Sequence, residues 1–269
     1  MKEAEAVPDK RHHRGPDPED ERLFAPHACA ALRLATGDLC WLLNRGYATA
    51  SALELVGNRY ALTRRQRIAV GRCACADEDL RRRKEHEVKP SQLKAQELWL
   101  DGYNVLTGIE AALAGGVILL GCDGCYRDLA GVHGRFRKLE ETVPALRLVG
   151  ALTAEWGVSR CRWFLDRPVS NSGRLQQLIV ELAAKAGWGW QVETVFSPDN
   201  VLCRGEHVVA TSDSVVLDRC RRWVNLTRLV IDRSVAEAHV VDLCVVAADK
   251  STGNADAPEG RWRAGDHAG

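Results

Sequence analysis

The sequence predicts an α/β protein: a three-layer domain with a mostly parallel sheet, preceded by a small all-α domain. Three observations lead there. From residue 97 onward, short apolar runs alternate with amphipathic stretches of helical period, the pattern of parallel strands joined by right-handed helical crossovers. Residues 24 to 76 carry helical periodicity throughout. Several of the later apolar runs end on an aspartate, which sets carboxylates at the carboxyl edge of a sheet, where open α/β folds bind ligands.

Taken in order, residues 1 to 22 are charged and rich in Pro and His, and residues 248 to 269 are rich in Gly, Asp and Ala. Both are expected to be disordered tails, with His12 and His13 solvated. Within a helical domain spanning 23 to 76, residues 28 to 44 place Leu32, Leu39, Leu42 and Leu43 on a helical face. Ser51 is expected to cap a helix over 52 to 56, and Thr63 a basic helix beginning Arg64-Arg65-Gln66-Arg67. A charged linker, 77 to 96, contains Arg81-Arg82-Arg83-Lys84. In the α/β domain, 97 to 247, strands are expected near 97 to 101, 116 to 121, 160 to 165, 190 to 196, 206 to 211 and 227 to 231. Helices are expected near 105 to 114, 141 to 155, 173 to 186, 214 to 223 and 234 to 242.

The chain is 46% hydrophobic and 27% charged with a formal net charge of +1, so no global field marks it as a bulk nucleic-acid binder. Any basic surface must be local. Residues 61 to 90 hold nine Lys or Arg against five Asp or Glu, a local +4 that would suit a phosphate backbone or a solvated helical face. Apolar runs fall short of the ~18 residues a membrane helix needs, and the amino terminus lacks a signal-peptide core, so a cytoplasmic protein that does not enter membranes is expected. Ten cysteines are numerous. Cys73, Cys75, Cys122 and Cys125 could supply four thiolates to zinc, yet 46 residues separate the two pairs, and reduced incidental thiols are the preferred reading.

The acids carry the chemistry. Asp101 ends the first strand and opens Asp101-Gly102-Tyr103-Asn104; Asp166 and Asp213 end later strands, and Asp123 follows Gly121. Carboxylates converging on one sheet edge repel one another unless a hard cation, Mg²⁺ or Mn²⁺, sits among them. The plainer alternative is that each Asp caps a helix. Asp199 ranks second as a member. The segment Asp166 to Arg174 offers Arg167, Asn171, Ser172 and Arg174 to a substrate phosphate at a helix start. The Gly-rich stretch 123 to 134 adds Arg127 and His133, the latter expected in a turn.

Thr211-Ser212-Asp213-Ser214 resembles an element of PIN-like nucleases, and Asp101-Gly102-Tyr103-Asn104 resembles the first motif of their NYN branch. Together with the 123 to 134 and 166 to 174 motifs, and with Leu42 to Tyr47, Ala52 to Gly57 and Thr63 to Arg67, these look like an uncharacterised prokaryotic family over roughly residues 25 to 245. The resemblance implies a PIN-like fold and metal-dependent cleavage of RNA or single-stranded DNA, with acids carried over at Asp101 and Asp213. Asp166 joins them as catalytic by structural inference, and Asp123 as a further ligand. Asn104, Arg127, Arg167, Asn171, Ser172, Arg174 and Ser212 are expected to bind substrate, and Arg64, Arg65, Arg67 and Arg82 to contact nucleic acid. Many PIN-like enzymes carry another acid on the helix after the first strand, for which Glu110 is the candidate.

Two other functions compete. Residues 52 to 70 have a helix-turn-helix-like layout, which suits a catalytically silent nucleic-acid-binding regulator. An aspartyl-phosphate phosphatase with Asp101 as nucleophile would want a second acid where Tyr103 stands, and is discounted.

Overall fold

The computed structural model describes residues 15 to 129 and 139 to 244. His12, His13 and His133 lie outside them. In chain order, α1 (Asp20–Leu23), α2 (Pro26–Leu43), α3 (Thr49–Arg59), α4 (Arg64–Cys73) and α5 (Asp77–His86) precede β1 (Glu97–Asp101) and α6 (Gly102–Leu113). Next come β2 (Ile118–Leu120), β3 (Tyr126–Asp128), α7 (Thr142–Glu155), β4 (Arg160–Asp166), α8 (Ser172–Ala186), β5 (Trp190–Val195) and α9 (Pro198–Leu202). The described chain closes with β6 (Val208–Ala210), α10 (Ser214–Leu217), β7 (Trp223–Val224), α11 (Leu226–Ser234) and β8 (Val240–Asp242).

The five-stranded sheet has the order β5-β4-β1-β6-β7, and every pairing in it is parallel. Side chains alternate across it as strand geometry dictates. Leu98, Leu100, Trp163, Leu165, Val208 and Ala210 enter one core with α6, α7, α8 and α11. Phe164 and Val209 enter the opposite one with Leu202 of α9, Val216 and Leu217 of α10, and Trp223. This makes three layers, and it explains why β1 and β4 read as nearly continuous apolar runs. A second, mixed sheet has the order β3-β2-β8.

The helical part does not stand alone. Leu32, Leu39, Val56, Ala69 and Val70 share one core with Val117, Leu119, Leu129, Val241 and Leu243 of the second sheet and its flanks. The segment read as a charged linker is the helix α5, locked onto the α/β part. Arg83 is 4% exposed and pairs with Asp123 and Asp218, and its carbonyl accepts the Trp223 indole N–H at 2.7 Å. Val88 N–H then donates to the Trp223 carbonyl at 2.8 Å.

Other expectations need correction. The run 227 to 231 is helical, within α11, because Leu226, Val230 and Ile231 are buried on one helical face. The helix expected over 214 to 223 stops at Leu217 and leads into β7, and 234 to 242 holds a turn and β8. Tyr126–Asp128 pairs antiparallel with β2, so the Gly-rich stretch begins as a hairpin. Helix α3 starts before Ser51, whereas Thr63 does cap α4, in a box with Gln66.

Candidate functional site

Strand order reverses at β1, whose neighbours β4 and β6 both follow it in sequence by crossovers, and a crevice opens at the carboxyl ends of such strands. Asp101 stands there, directly ahead of α6. A Cβ on Gly102 would lie 2.8 Å from the Phe164 carbonyl oxygen and 2.5 Å from the Leu165 side chain. Only glycine lets the chain turn from strand to helix this close to β4. Asp101 is 7% exposed, makes no capping bond to α6, and accepts the Thr211 hydroxyl at 2.8 Å.

The segment after β6 is held from both sides. Asn104 Oδ1 accepts the Ser212 N–H at 2.7 Å and its hydroxyl at 3.0 Å. Arg127 Nε donates to the Ser212 carbonyl at 2.7 Å. Asp213 then caps α10, its Oδ1 accepting the N–H groups of Val215 and Val216. For this residue the capping alternative is realised, with both bonds on one oxygen.

Asp101, Asp166, Asp199 and Asp213 act on one another electrostatically. Burial, with the charges of the other three added, pushes Asp101 up to about 7 against the hydrogen bond from Thr211. Burial raises Asp166 and Asp199 too, with Asp199 acting on Asp166 and Asp213 on Asp199. Among the described residues, no three His, Cys, Asp or Glu side chains already stand at a spacing that would hold a metal ion. Beside the acids, a cleft of about 270 Å³ is lined by Asn104, Thr107, Arg127, Asp128, Ser212 and Asp213, with Gly71 and Arg72 of α4 as one wall.

Several expected site residues serve other partners. Asp123 is gripped by Arg127 through bonds of 2.8 and 2.6 Å and by Arg83, and these guanidiniums, working against burial, hold its carboxyl below the usual range. It is a structural anchor, and Arg127 is its buried partner. Ser172 is buried, and its hydroxyl bonds the Asp166 and Val169 carbonyls and Tyr103. Asn171 takes the left-handed conformation, φ 71°, ahead of α8, where Arg174 is exposed. Glu110 is fully buried between α6 and α7, bonded to Thr142 at 2.6 Å. Arg65 pairs with Asp20 at 2.7 Å, Arg67 bonds Asn58 and the Leu62 and Glu54 carbonyls, and Arg82 pairs with Asp79 and Asp218. Arg64 is exposed.

Two residues escaped the sequence reading. Phe196, just past β5, is 73% exposed with the Arg167 guanidinium 4.8 Å over its ring; only its place at a strand end could have flagged it. Arg83 looked like one member of a basic run, and nothing local separates it from its neighbours. Of the four thiols weighed for zinc, Cys73 enters the helical core and Cys125 the layer with Phe164 and Trp223.

Fold and site thus define an α/β protein with an acidic crevice at the switch point of a parallel sheet. The chain belongs to the family described as Domain of unknown function (DUF5616), whose profile matches residues 90 to 229, and Protein of unknown function (DUF434) matches residues 31 to 86. It is 32% identical over 187 residues to the Uncharacterized protein MJ0935 of Methanocaldococcus jannaschii, across 70% of this chain and 89% of the relative. No solved structure matches it.

Proposed function

We propose that this protein is a divalent-cation-dependent, PIN-like nuclease that hydrolyses RNA phosphodiesters in the crevice beside Asp101. One observation carries the reading. Asp101 is buried, is not used as a helix cap, and feels three other carboxylates, with no cationic side chain among the leading influences on it. A buried carboxylate with three others around it fits an outside cation, and an all-oxygen donor set suits Mg²⁺ or Mn²⁺. Asp101, Asp166, Asp199 and Asp213 are the candidates to hold it, and Mg²⁺ needs only one or two carboxylates beside water and phosphate oxygens. When bound, such an ion supplies activation of water and neutralisation of developing charge.

The chain's own residues do the positioning. Thr211 fixes Asp101 Oδ2, Asn104 and Arg127 brace Ser212 from opposite sides, and Asp213 is oriented by its bonds to α10. Phe196 and Arg167 offer a stacking face and a positive charge next to Asp166, features that favour an unpaired base and hence a single-stranded substrate. The regulator reading is less supported, because two of the three arginines on its helix-turn-helix-like segment, Arg65 and Arg67, are engaged within the protein. The test is incubation of purified protein with end-labelled single-stranded RNA and Mn²⁺. Cleavage abolished by chelator supports the proposal; tight RNA binding without cleavage would favour the regulator.

A further inference from the structure

Away from the acidic crevice, three thiols from distant parts of the chain stand in a row. Strands β2 and β8 run parallel with Leu120 opposite Asp242, so two residues further on Cys122 comes alongside Cys244. Cys244 Sγ lies 3.8 Å from the Leu120 carbonyl oxygen. Cys122 N–H donates to the Cys73 carbonyl at 2.9 Å, which presses this turn against the end of α4, and Cys75 N–H points at Cys40 Sγ at 3.4 Å. The Cys40 and Cys122 thiols act on one another, as do those of Cys122 and Cys244. Cys122 is the shared centre. All three are partly exposed, unlike the buried Cys29, Cys73, Cys125 and Cys161, so simple core filling does not account for them.

We propose that Cys40, Cys122 and Cys244 form a dithiol–disulfide site with Cys122 as its common sulfur, oxidised by small disulfides of the glutathione disulfide class. The row arrangement decides between this and a metal. Among the described residues no three His, Cys, Asp or Glu side chains could hold a metal ion, whereas Cys122 adjoins Cys40 on one side and Cys244 on the other. Cys122, as thiolate, attacks one sulfur of the reagent; that S–S bond breaks, and the released thiolate takes up the proton Cys122 lost. Cys40 or Cys244, as thiolate, then attacks the Cys122 sulfur of the mixed disulfide and expels the second reagent thiol. In sum, two protein thiols are oxidised to one disulfide and one reagent disulfide is reduced to two thiols. The third cysteine can attack Cys122 again and move the bridge. The Cys244 thiol and burial, against the influence of Cys40, push Cys122 up to about 12, and Cys122 with burial raises Cys40 as well, so thiolate attack by either is slow at neutral pH. A Cys40–Cys122 bridge would tie α2 to the turn bearing Asp123, the anchor of Arg127. The site is independent of the nuclease reading.

The experiment uses the full chain in native buffer with glutathione disulfide, followed by alkylation, thiol titration and peptide mapping by mass spectrometry. Two of the ten thiols should disappear, in bridges Cys40–Cys122 or Cys122–Cys244. Cys40→Ser should leave only Cys122–Cys244, Cys244→Ser only Cys40–Cys122, and Cys122→Ser or Cys122→Ala, checked for folding by circular dichroism, neither. Ten free thiols in treated wild type, a stable glutathione adduct without a bridge, or loss of two thiols in a folded Cys122 variant would overturn the proposal.

Discussion

At Asp101 burial and like charge hold a carboxylate in an unfavourable place, and that has a measurable sign. Its folded value of about 7 lies above the ordinary 3.8, so its proton stabilises the native state below pH 3.8 and that stability is lost as pH rises through about 7. In chelator, the unfolding free energy read from urea titrations should therefore fall across this window, by up to roughly 4 kcal/mol, and Asp101→Asn should flatten the fall. Asp123 has the opposite sign. Its lowered value makes its contribution present above pH 3.8 and lost only at more acid pH, so the two are separable in one titration. Gly102→Ala should destabilise the fold by about 1–3 kcal/mol, because its Cβ meets the rigid Phe164 carbonyl. For nucleic acid, Arg167→Ala should flatten the salt dependence of single-stranded RNA binding by about 0.7 in slope. Arg67→Ala should lower the melting temperature and leave that slope unchanged, since its guanidinium is spent on the α3–α4 turn.

Among elements, the connection between α5 and the sheet matters most to the site. Arg83, Asp123 and Arg127 form a buried charge chain ending on the Ser212 carbonyl. Removing one member of such a set strands the others, so Asp123→Ala should cost about 3–5 kcal/mol by urea denaturation. Arg82→Ala, at a half-exposed pair, should cost about 1 kcal/mol or less. Elements were legible in the sequence where period and length agreed. β1, β4, α7 and α8 stand where their apolar patterns put them, whereas the short run Leu226 to Ile231 suits either period, and only its packing against α6 and α7 makes it helical. β3 was hidden because Arg127 and Asp128 look like loop residues until Asp123 and Thr107 bury them. The acids were legible because each follows an apolar strand. What Asp123 does was not, since its partner Arg83 lies 40 residues away.

For the whole molecule, the shared core of helices and second sheet predicts one cooperative unit. Helical circular dichroism and tryptophan fluorescence should give coincident urea transitions for the full chain. A fragment beginning at residue 90 would expose Val117, Leu119, Leu129, Val241 and Leu243 to water, and should not unfold cooperatively. Two separate transitions, or a stably folded fragment, would mean that the family boundary between residues 86 and 90 is also a folding boundary.

The central claim, that the carboxylates at the switch point serve a cation in phosphodiester hydrolysis, is tested most directly by one comparison. Wild type and Asp101→Asn, matched for folding by circular dichroism, are incubated with single-stranded RNA and Mn²⁺. Wild type should cleave and the variant should be at least ~100-fold slower, the scale of losing a catalytic electrostatic element. Equal rates in the two proteins, or no cleavage by wild type with either Mg²⁺ or Mn²⁺, would contradict it.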